Sequence, residues 1–217
     1  NRTSAEAFVE GLKSGGNTDI YASIKELLKM GQKSTRPVIV ILVTDGRSTT
    51  GMMNTSAIIG EFTKQNEGKL SIFGIGTIQT ANAYLLDQLS FCNRGDSTVI
   101  KSGRWDIPAV LAQVTQDTGR PVLSDVKFQF AGELRNEVFP VLTTHLYLDR
   151  PLVLYGRCRS GTERLVFRAI GRSGDTACDM VFDLDLTKAA KSDDKGIAIV
   201  KVYGAIVVSG KTFQFKL

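Results

Sequence analysis

Asp45 is the residue whose type and position most strongly indicate chemistry. It follows Thr44 and a run of six apolar residues at 38–43, five of them β-branched, and precedes Gly46. An apolar run without polar alternation is typical of a strand buried on both faces. Open α/β sheets place their ligand sites just past the carboxyl ends of such strands. Because Asp-Gly is also a common turn dipeptide, the pair indicates either a turn or a site.

Two further sets of side chains could carry acid–base chemistry. His145 is the only histidine, which excludes a metal site with two histidines and leaves one possible histidine base. Asp183 and Asp185 alternate with leucines, so both carboxylates are expected on one strand face. They could act as a general acid and base, although a solvated strand face is the simpler interpretation.

The three cysteines are Cys92, Cys158 and Cys178, and their odd number leaves at least one thiol unpaired within the chain. Cys158 and Cys178 fall in strand-like segments and could pair if those strands are neighbours. Buried free thiols are the simpler interpretation.

Two short motifs carry little weight. Gly74 and Gly76 follow a strand, but Gln79 stands where the third glycine of a dinucleotide-binding fingerprint would fall. The tripeptide at 94–96, Arg-Gly-Asp, is of the adhesion type, yet it recurs by chance and falls in a predicted helix-to-strand turn.

The elements that must position these residues are predicted to change near residue 120, from alternating helices and strands to strands alone. Before it, helical stripes are interleaved with strand-like runs at 38–43, 70–75 and 97–100, which predicts βα units and a parallel sheet. After it, segments with period-two alternation follow one another without helices, which predicts an antiparallel β module, most simply a sandwich. Residues 197–208 fit either a strand or a buried helix.

The sequence shows fewer strands than the predicted parallel sheet requires. A run buried on both faces needs neighbours on both edges, and an uncovered edge of this kind promotes aggregation. We therefore expect further strands beyond residues 38–43, supplied by a portion of the protein N-terminal to residue 1.

The composition and net charge of the chain indicate which classes of partner to expect. The chain has 217 residues, of which 42% are hydrophobic and 23% charged, as in ordinary globular proteins. No apolar run approaches membrane-spanning length, so no membrane span is expected. The net charge of +5 and the pI of about 9.1 favour acidic partners. The basic residues are scattered, and nucleic acid is not expected as a partner.

The motifs before residue 96, in their order, resemble the C-terminal half of a von Willebrand factor type A domain. They are Thr18 after a Gly-Gly loop, the run at 38–43 into Thr44-Asp45-Gly46, LSIFGIG at 70–76, and the leucines at 85–89 followed by Asn93-Arg94-Gly95. Residues 121–126, 138–140 and 150–157 are similar to the β segment that follows this domain in inter-α-trypsin-inhibitor heavy-chain-like proteins, the class that combines VIT and type A domains. The resemblance covers about residues 3–185.

This resemblance implies an α/β fold with two domains. Residues 1–120 would be the C-terminal half of a type A domain, a partial, doubly wound, Rossmann-like parallel sheet without its N-terminal strands. Residues 121–217 would be an antiparallel β-sandwich module.

The resemblance also implies a divalent-metal site. Type A domains bind Mg²⁺, Mn²⁺ or Ca²⁺ in a metal-ion-dependent adhesion site (MIDAS) through an Asp-x-Ser-x-Ser motif, a threonine and an aspartate. Thr18 matches the threonine and Asp45 the aspartate, and hydroxyl and carboxylate oxygens suit Mg²⁺. The Asp-x-Ser-x-Ser motif does not occur in the 217 residues. The N-terminal half of the same protein, or a complementing chain, would have to complete the site.

The functional hypothesis that follows is a non-enzymatic protein–protein interaction or adhesion module. It would bind an acidic protein ligand through the metal, at an extracellular, periplasmic or cell-surface location. The alternative is a structural subunit of an extracellular assembly with a degenerate metal site. An enzyme is the third hypothesis, and for it the sequence offers only His145 as a histidine base.

Overall fold

The computed structural model describes the chain in two parts that differ in architecture. It covers residues 2–13, 15–34, 36–101, 103–131, 138–140, 142–156 and 161–188, with four short backbone stretches at 190–191, 198–199, 203–208 and 211–216. The change from helices and parallel strands to antiparallel strands falls between residues 118 and 121. The division into two domains at residue 120 stays a prediction.

The described residues of the first part form five helices, three of which begin at polar side-chain caps. The helices are α1 (Arg2–Glu10), α2 (Ile20–Lys33), α3 (Thr55–Asn66), α4 (Ala83–Cys92) and α5 (Ile107–Thr118). The side chains of Asp19, Asn54 and Asn82 accept hydrogen bonds from the first-turn amides of α2, α3 and α4. Each cap satisfies a backbone donor that the helix itself cannot pair.

Three strands form a parallel sheet in the order β1-β2-β3: β1 (Val38–Thr44), β2 (Leu70–Gly76) and β3 (Ser97–Val99). The register of β1 on β2 runs from Val38 opposite Leu70 to Thr44 opposite Gly76. The prediction of an α/β fold with a parallel sheet is therefore confirmed. The finer Rossmann-like, doubly wound assignment stays a prediction.

The strand buried on both faces is β2 rather than β1. Every residue of β2 is buried, whereas the residues of β1 are half-buried and Val43 is 41% exposed. The expectation of full burial for residues 38–43 is wrong here because β1 lies at the edge, with β2 as its one neighbour among the described strands. Flanking strands supplied by another part of the protein stay a prediction.

One face of the parallel sheet packs against α2, α3 and α4. Because side chains alternate along a strand, Leu70 and Ile72 of β2 share this face. The buried core comprises Ile20, Ile24, Leu28, Ile58, Ile59, Phe62, Leu70, Ile72, Leu85 and Leu89.

Two buried asparagines connect the helices to the start of β2. Asn66 accepts a hydrogen bond from the Leu70 amide at 2.8 Å, and its Nδ2 donates to the Leu70 carbonyl at 2.9 Å. Nδ2 also donates to Oδ1 of Asn93 at 2.7 Å. Asn93 in turn donates to Thr63 Oγ1 and to the Leu89 carbonyl. The network satisfies polar groups that have no access to water.

The second part of the chain is built on antiparallel strands. Its strands are β4 (Pro121–Phe130), β5 (Val138–Phe139), β6 (Leu146–Tyr147), β7 (Tyr155–Gly156), β8 (Arg164–Ser173), β9 (Thr176–Asp185), β10 (Ala190–Lys191), β11 (Ala198–Ile199), β12 (Tyr203–Val208) and β13 (Lys211–Lys216).

A four-stranded sheet in the order β6-β4-β8-β9 is the largest unit of this part, and β5–β7, β10–β11 and β12–β13 form separate pairs. The rings of Phe128, Phe130, Phe167 and Phe182 contact one another on one face of the large sheet. The antiparallel prediction is confirmed, while closure into a sandwich stays a prediction.

Two questions left open by the sequence concern the second part. Residues 198–199 and 203–208 are strands, which decides against a helix for them, and residues 200–202 lie outside the described chain. Cys178 is a half-buried free thiol. Cys158 lies outside the described residues, and so does its predicted pairing with Cys178.

The junction between the two parts extends from the amino end of β2 to Phe73 at its centre. Arg94, 4% exposed, donates through Nε to the Gly68 carbonyl at 2.9 Å and through Nη1 to the Thr143 carbonyl at 3.0 Å. Arg150 pairs with Asp96 at 2.6 Å. The carboxyl edge of the parallel sheet, where the strands end, lies away from these contacts.

Phe73 of β2 adds apolar contacts to this junction. The guanidinium carbon of Arg150 lies 5.2 Å from the centre of the Phe73 ring. The ring of Tyr147 meets the Phe73 ring edge-on, with 6.2 Å between centroids. Both geometries are favourable for aromatic rings.

None of the helices in the described part of the chain combines the length and apolar character needed to cross a membrane.

Candidate functional site at the carboxyl edge of the parallel sheet

Thr18 lies in the connection that leads into α2. It is not the helix cap, because Asp19 takes that role through Oδ1, which accepts from the Ala22 amide at 2.9 Å. The Thr18 amide donates to Thr49 Oγ1 at 2.8 Å, and its carbonyl accepts from the amides of Thr49 and Thr50. Thr18 is exposed. The backbone is therefore fixed against the loop that follows β1.

Asp45 lies at the carboxyl end of β1 and is half-buried. Its Oδ1 accepts from the Arg47 amide at 3.1 Å, and its backbone carbonyl accepts from the Asn82 amide at 2.8 Å. The predicted turn is thus present, and it uses one of the two carboxylate oxygens. A turn and a ligand role are compatible for this residue because a carboxylate can accept several interactions.

Two glycines allow the loops at this edge to approach closely. Gly46 has φ of +75°, and a Cβ there would lie 3.0 Å from Cβ of Asn82. Gly51 has φ of +65°, and a Cβ there would lie 1.9 Å from Oδ2 of Asp19. Any larger residue at position 51 would displace the helix cap beside Thr18.

Thr18 and Asp45 are therefore held on one edge through their neighbours. The residues that hold them are Thr49, Asn82 and Arg47, whose Nη2 donates to the Thr80 carbonyl at 2.7 Å. Sequence reasoning did not single these out as site residues. A signal for one of them existed, since Asn82 directly precedes a helical stripe, which is typical of an N-cap.

The donors at this edge have the right chemistry for a hard divalent cation but are too few. Mg²⁺ takes about six oxygen ligands, some of them waters. Thr18 and Asp45 could supply two. The described residues include no group of three or more His, Cys, Asp or Glu side chains placed to hold a metal. The residues present thus fit part of a metal site.

The adhesion-type tripeptide at 94–96 is part of the junction rather than a presented loop. Arg94 is buried, and the Cβ of any residue other than glycine at position 95 would lie 1.6 Å from the Ile72 carbonyl oxygen. Asp96 pairs with Arg150. These contacts explain the tripeptide as a structural feature.

The two carboxylates Asp183 and Asp185 lie on the exposed face of β9. Asp183 pairs with Arg164 across the strands. Asp185 accepts from the Thr187 hydroxyl and pairs with Lys188, and these hydrogen bonds lower its pKa to about 2. Both side chains are exposed and each is held in an ion pair, which favours the solvated-face interpretation over an acid–base pair.

His145 lies far from Asp45, in the antiparallel part near the junction. It is 2% exposed, and its Nδ1 accepts from the Asp125 amide at 3.1 Å. Burial, reinforced by the nearby Arg94 charge, lowers its pKa to about 4. The structure thus places the one histidine base of the enzyme hypothesis at a buried position remote from the candidate site.

Comparison with known proteins shows a distant similarity to a human heavy chain. The chain is 23% identical over 175 residues to human inter-alpha-trypsin inhibitor heavy chain H6. The match covers 76% of this chain and 13% of that protein, so the chain spans a small part of its relative. No family model matches the chain. The similarity agrees with the class of proteins indicated by the sequence motifs.

Proposed function

We propose that the chain forms part of a non-enzymatic protein–protein interaction module of the adhesion type, related to the inter-α-trypsin-inhibitor heavy chains and located outside the cytoplasm. The carboxyl edge of its parallel sheet would hold Mg²⁺, Mn²⁺ or Ca²⁺ through Thr18 and Asp45. An acidic side chain of the partner protein would then coordinate the ion.

The main support is that Thr18 and Asp45 lie on one edge although 26 residues separate them along the chain. The Thr18 backbone is bonded to the loop that begins at Asp45. Hydroxyl and carboxylate oxygens are the donors that hard cations prefer. The sequence similarity to a heavy chain gives further support to the type A assignment.

Two apolar surfaces support the proposal that an N-terminal portion completes the domain. The outer edge of β1 carries no partner among the described strands. Helix α1 has no buried residue, and Phe8, Val9 and nearby Leu12 are 69%, 62% and 62% exposed. Additional strands from the N-terminal half, or from a complementing chain, would cover both surfaces and supply the remaining ligands.

Calorimetric titration with Mn²⁺ tests this function. We expect weak binding by the 217-residue chain and tight binding by a longer protein that carries the preceding segment. Asp45→Ala and Thr18→Ala should each weaken binding by the longer protein, whereas Asp175→Ala, in an exposed turn of the antiparallel part, should not. Binding that is insensitive to both site variants would disprove the metal assignment.

One observation favours a second candidate, a structural subunit with a degenerate metal site. The described residues lack a group of three or more potential metal-binding side chains. For this candidate, the longer protein would also fail to bind Mn²⁺, and its assembly with partner subunits would be the same in chelator as in metal.

A further inference from the structure

Three buried side chains at the junction between the two parts carry polar atoms that have no hydrogen-bond partner among the described residues. Ser71 of β2 is fully buried, and His145 and Tyr147, which flank Leu146 of β6, are each 2% exposed. The atoms without partners are Ser71 Oγ, His145 Nε2 and the Tyr147 hydroxyl oxygen. Because leaving a buried polar group unpaired is costly, such a set of atoms indicates a bound ligand or water.

The three side chains lie together around Phe73. Ser71 and Phe73 share one face of β2, since side chains alternate along a strand. The Tyr147 ring meets the rings of Phe73 and His145 edge-on, with 6.2 Å between centroids in each case. Burial raises the pKa of Tyr147 to about 12, while the Ser71 hydroxyl and nearby positive charges, Arg94 among them, act in the opposite direction. The Ser71 hydroxyl is therefore close to that of Tyr147.

The unpartnered atoms can act as hydrogen-bond donors. Nδ1 of His145 accepts from the Asp125 amide at 3.1 Å, so the proton of the neutral imidazole is on Nε2. The hydroxyls of Ser71 and Tyr147 each carry one proton, and if one donates to the other, one O–H is still available. At least two donors at this place can therefore bind an acceptor.

A buried cation lies beside these donors. Arg94 is 4% exposed, and its guanidinium donates to the carbonyls of Gly68 and Thr143. Burial lowers the pKa of Arg94, and the exposed carboxylate of Asp125 opposes this shift. The ion pairs of the described residues do not include Arg94. A buried charge is costly unless an opposite charge lies next to it.

We propose that this junction binds a small monovalent anion of the chloride class. The anion accepts hydrogen bonds from Nε2 of His145 and from the Tyr147 and Ser71 hydroxyls, and Arg94 supplies the opposite charge. A water molecule could accept the same hydrogen bonds, but it would leave the charge of Arg94 uncompensated. The site shares no residue with the carboxyl edge, so the inference does not depend on the proposed function.

Anion binding would strengthen the connection between the two parts of the chain. Ser71 and Arg94 belong to the first part, whereas His145 and Tyr147 belong to the second. The four side chains are together only in the folded protein, and a ligand that binds only the folded state stabilises it. Chloride at ten times its Kd should raise the equilibrium constant for folding about tenfold.

Urea unfolding of the 217-residue chain in sodium chloride and in sodium gluconate, at equal ionic strength and neutral pH, tests the proposal. Gluconate is too large for a buried site of this kind, so we expect higher stability in chloride. Tyr147→Phe removes only the hydroxyl and should lose most of the difference between the two salts. Tyr155→Phe removes the same group from a 71% exposed tyrosine, and this matched control should keep the difference.

Crystals of the chain soaked in sodium bromide give a second measurement that does not depend on folding energetics. We expect an anomalous bromide peak in contact with Arg94 and Tyr147. Equal stability in the two salts, without a bromide peak at the junction, would show that water satisfies the donors and would overturn the proposal. A difference between the salts that Tyr147→Phe leaves unchanged would also overturn it, because chloride would then act elsewhere.

Discussion

The stability of the antiparallel part depends on whether the buried imidazole of His145 is protonated. The imidazole ring meets the Tyr147 ring edge-on, and its Nδ1 accepts a hydrogen bond from the Asp125 amide. The charged groups around it are Arg94, which disfavours protonation, and Asp125, which favours it. Burial is the largest influence, so the neutral ring is the form that the folded protein tolerates.

We predict that the protein loses stability as the pH falls from 6.5 to about 4. The pKa of His145 is lowered to about 4 on folding, so in this interval the unfolded chain binds a proton that the folded chain excludes. The contribution is fully present above pH 6.5 and amounts to about 3 kcal/mol. Urea unfolding at a series of pH values measures it. Asp185, with a pKa of about 2, contributes only at lower pH.

The control for this prediction is His145→Asn, which keeps a side-chain acceptor for the Asp125 amide but cannot be protonated. The pH dependence between 6.5 and 4 should flatten in this variant. An unchanged slope would assign the loss of stability to carboxylates instead.

A second residue-scale prediction concerns Asn66. We expect Asn66→Leu to lower the free energy of unfolding by about 2–4 kcal/mol, because the Leu70 backbone groups and the Asn93 amide lose their partner in a dry core. Urea denaturation measures the change. Gln113→Leu, at an exposed position on α5, is the matched control and should cost little. Equal effects of the two variants would show that the network is not important for stability.

At the scale of elements, the edge of β1 determines how the chain behaves at high concentration. The outer side of β1 has no partner among the described strands, so its backbone groups and half-exposed apolar side chains can pair with a second copy. We predict that Val43→Lys reduces self-association of the 217-residue chain, measured by sedimentation velocity across a concentration series. The matched control is Val166→Lys in the interior strand β8, where the valine is 40% exposed against 41% for Val43. Similar behaviour of the two variants would contradict the edge model.

Local sequence patterns predicted the type of each helix or strand well, but they predicted its burial less well. The periodicity of residues 55–66 and 82–91 and the alternation in β4 and β8 specify element types, since they depend on near neighbours. The burial of β1 depends on which strands flank it, and this information lies outside the run itself. For the same reason the tripeptide at 94–96 could be read from sequence as a recognition motif, although contacts with Gly68, Thr143 and Arg150 make it structural.

The candidate site shows the same limit. Thr18 and Asp45 could be singled out by resemblance, but their attachment to Thr49 and Asn82 depends on how loops distant in sequence meet. Threonine and aspartate both favour the N-cap position, so residue type alone does not decide between Thr18 and Asp19 as the cap of α2. The structure assigns it to Asp19, which leaves the Thr18 hydroxyl out of the cap.

At the scale of the whole molecule, Arg94 connects the parallel and antiparallel parts. We predict that Arg94→Met lowers the free energy of unfolding by about 2–4 kcal/mol, because the Gly68 and Thr143 carbonyls lose a charged donor in a buried junction. Scanning calorimetry should also show the two parts unfolding less cooperatively. Arg168→Met, which removes an exposed pair with Asp179, is the matched control. A single, unshifted transition in Arg94→Met would show that the junction contributes little.

The junction lies beside the amino-terminal half of β2, whereas the candidate edge lies at its carboxyl end, and this arrangement has a mechanical consequence. A tensile force applied between a partner at the carboxyl edge and the antiparallel part would run along the strands. The seven residue pairs that join β1 to β2 would then be loaded together in shear, instead of opening one after another from an end. We expect the parallel sheet to resist pulling along this axis more strongly than pulling across it.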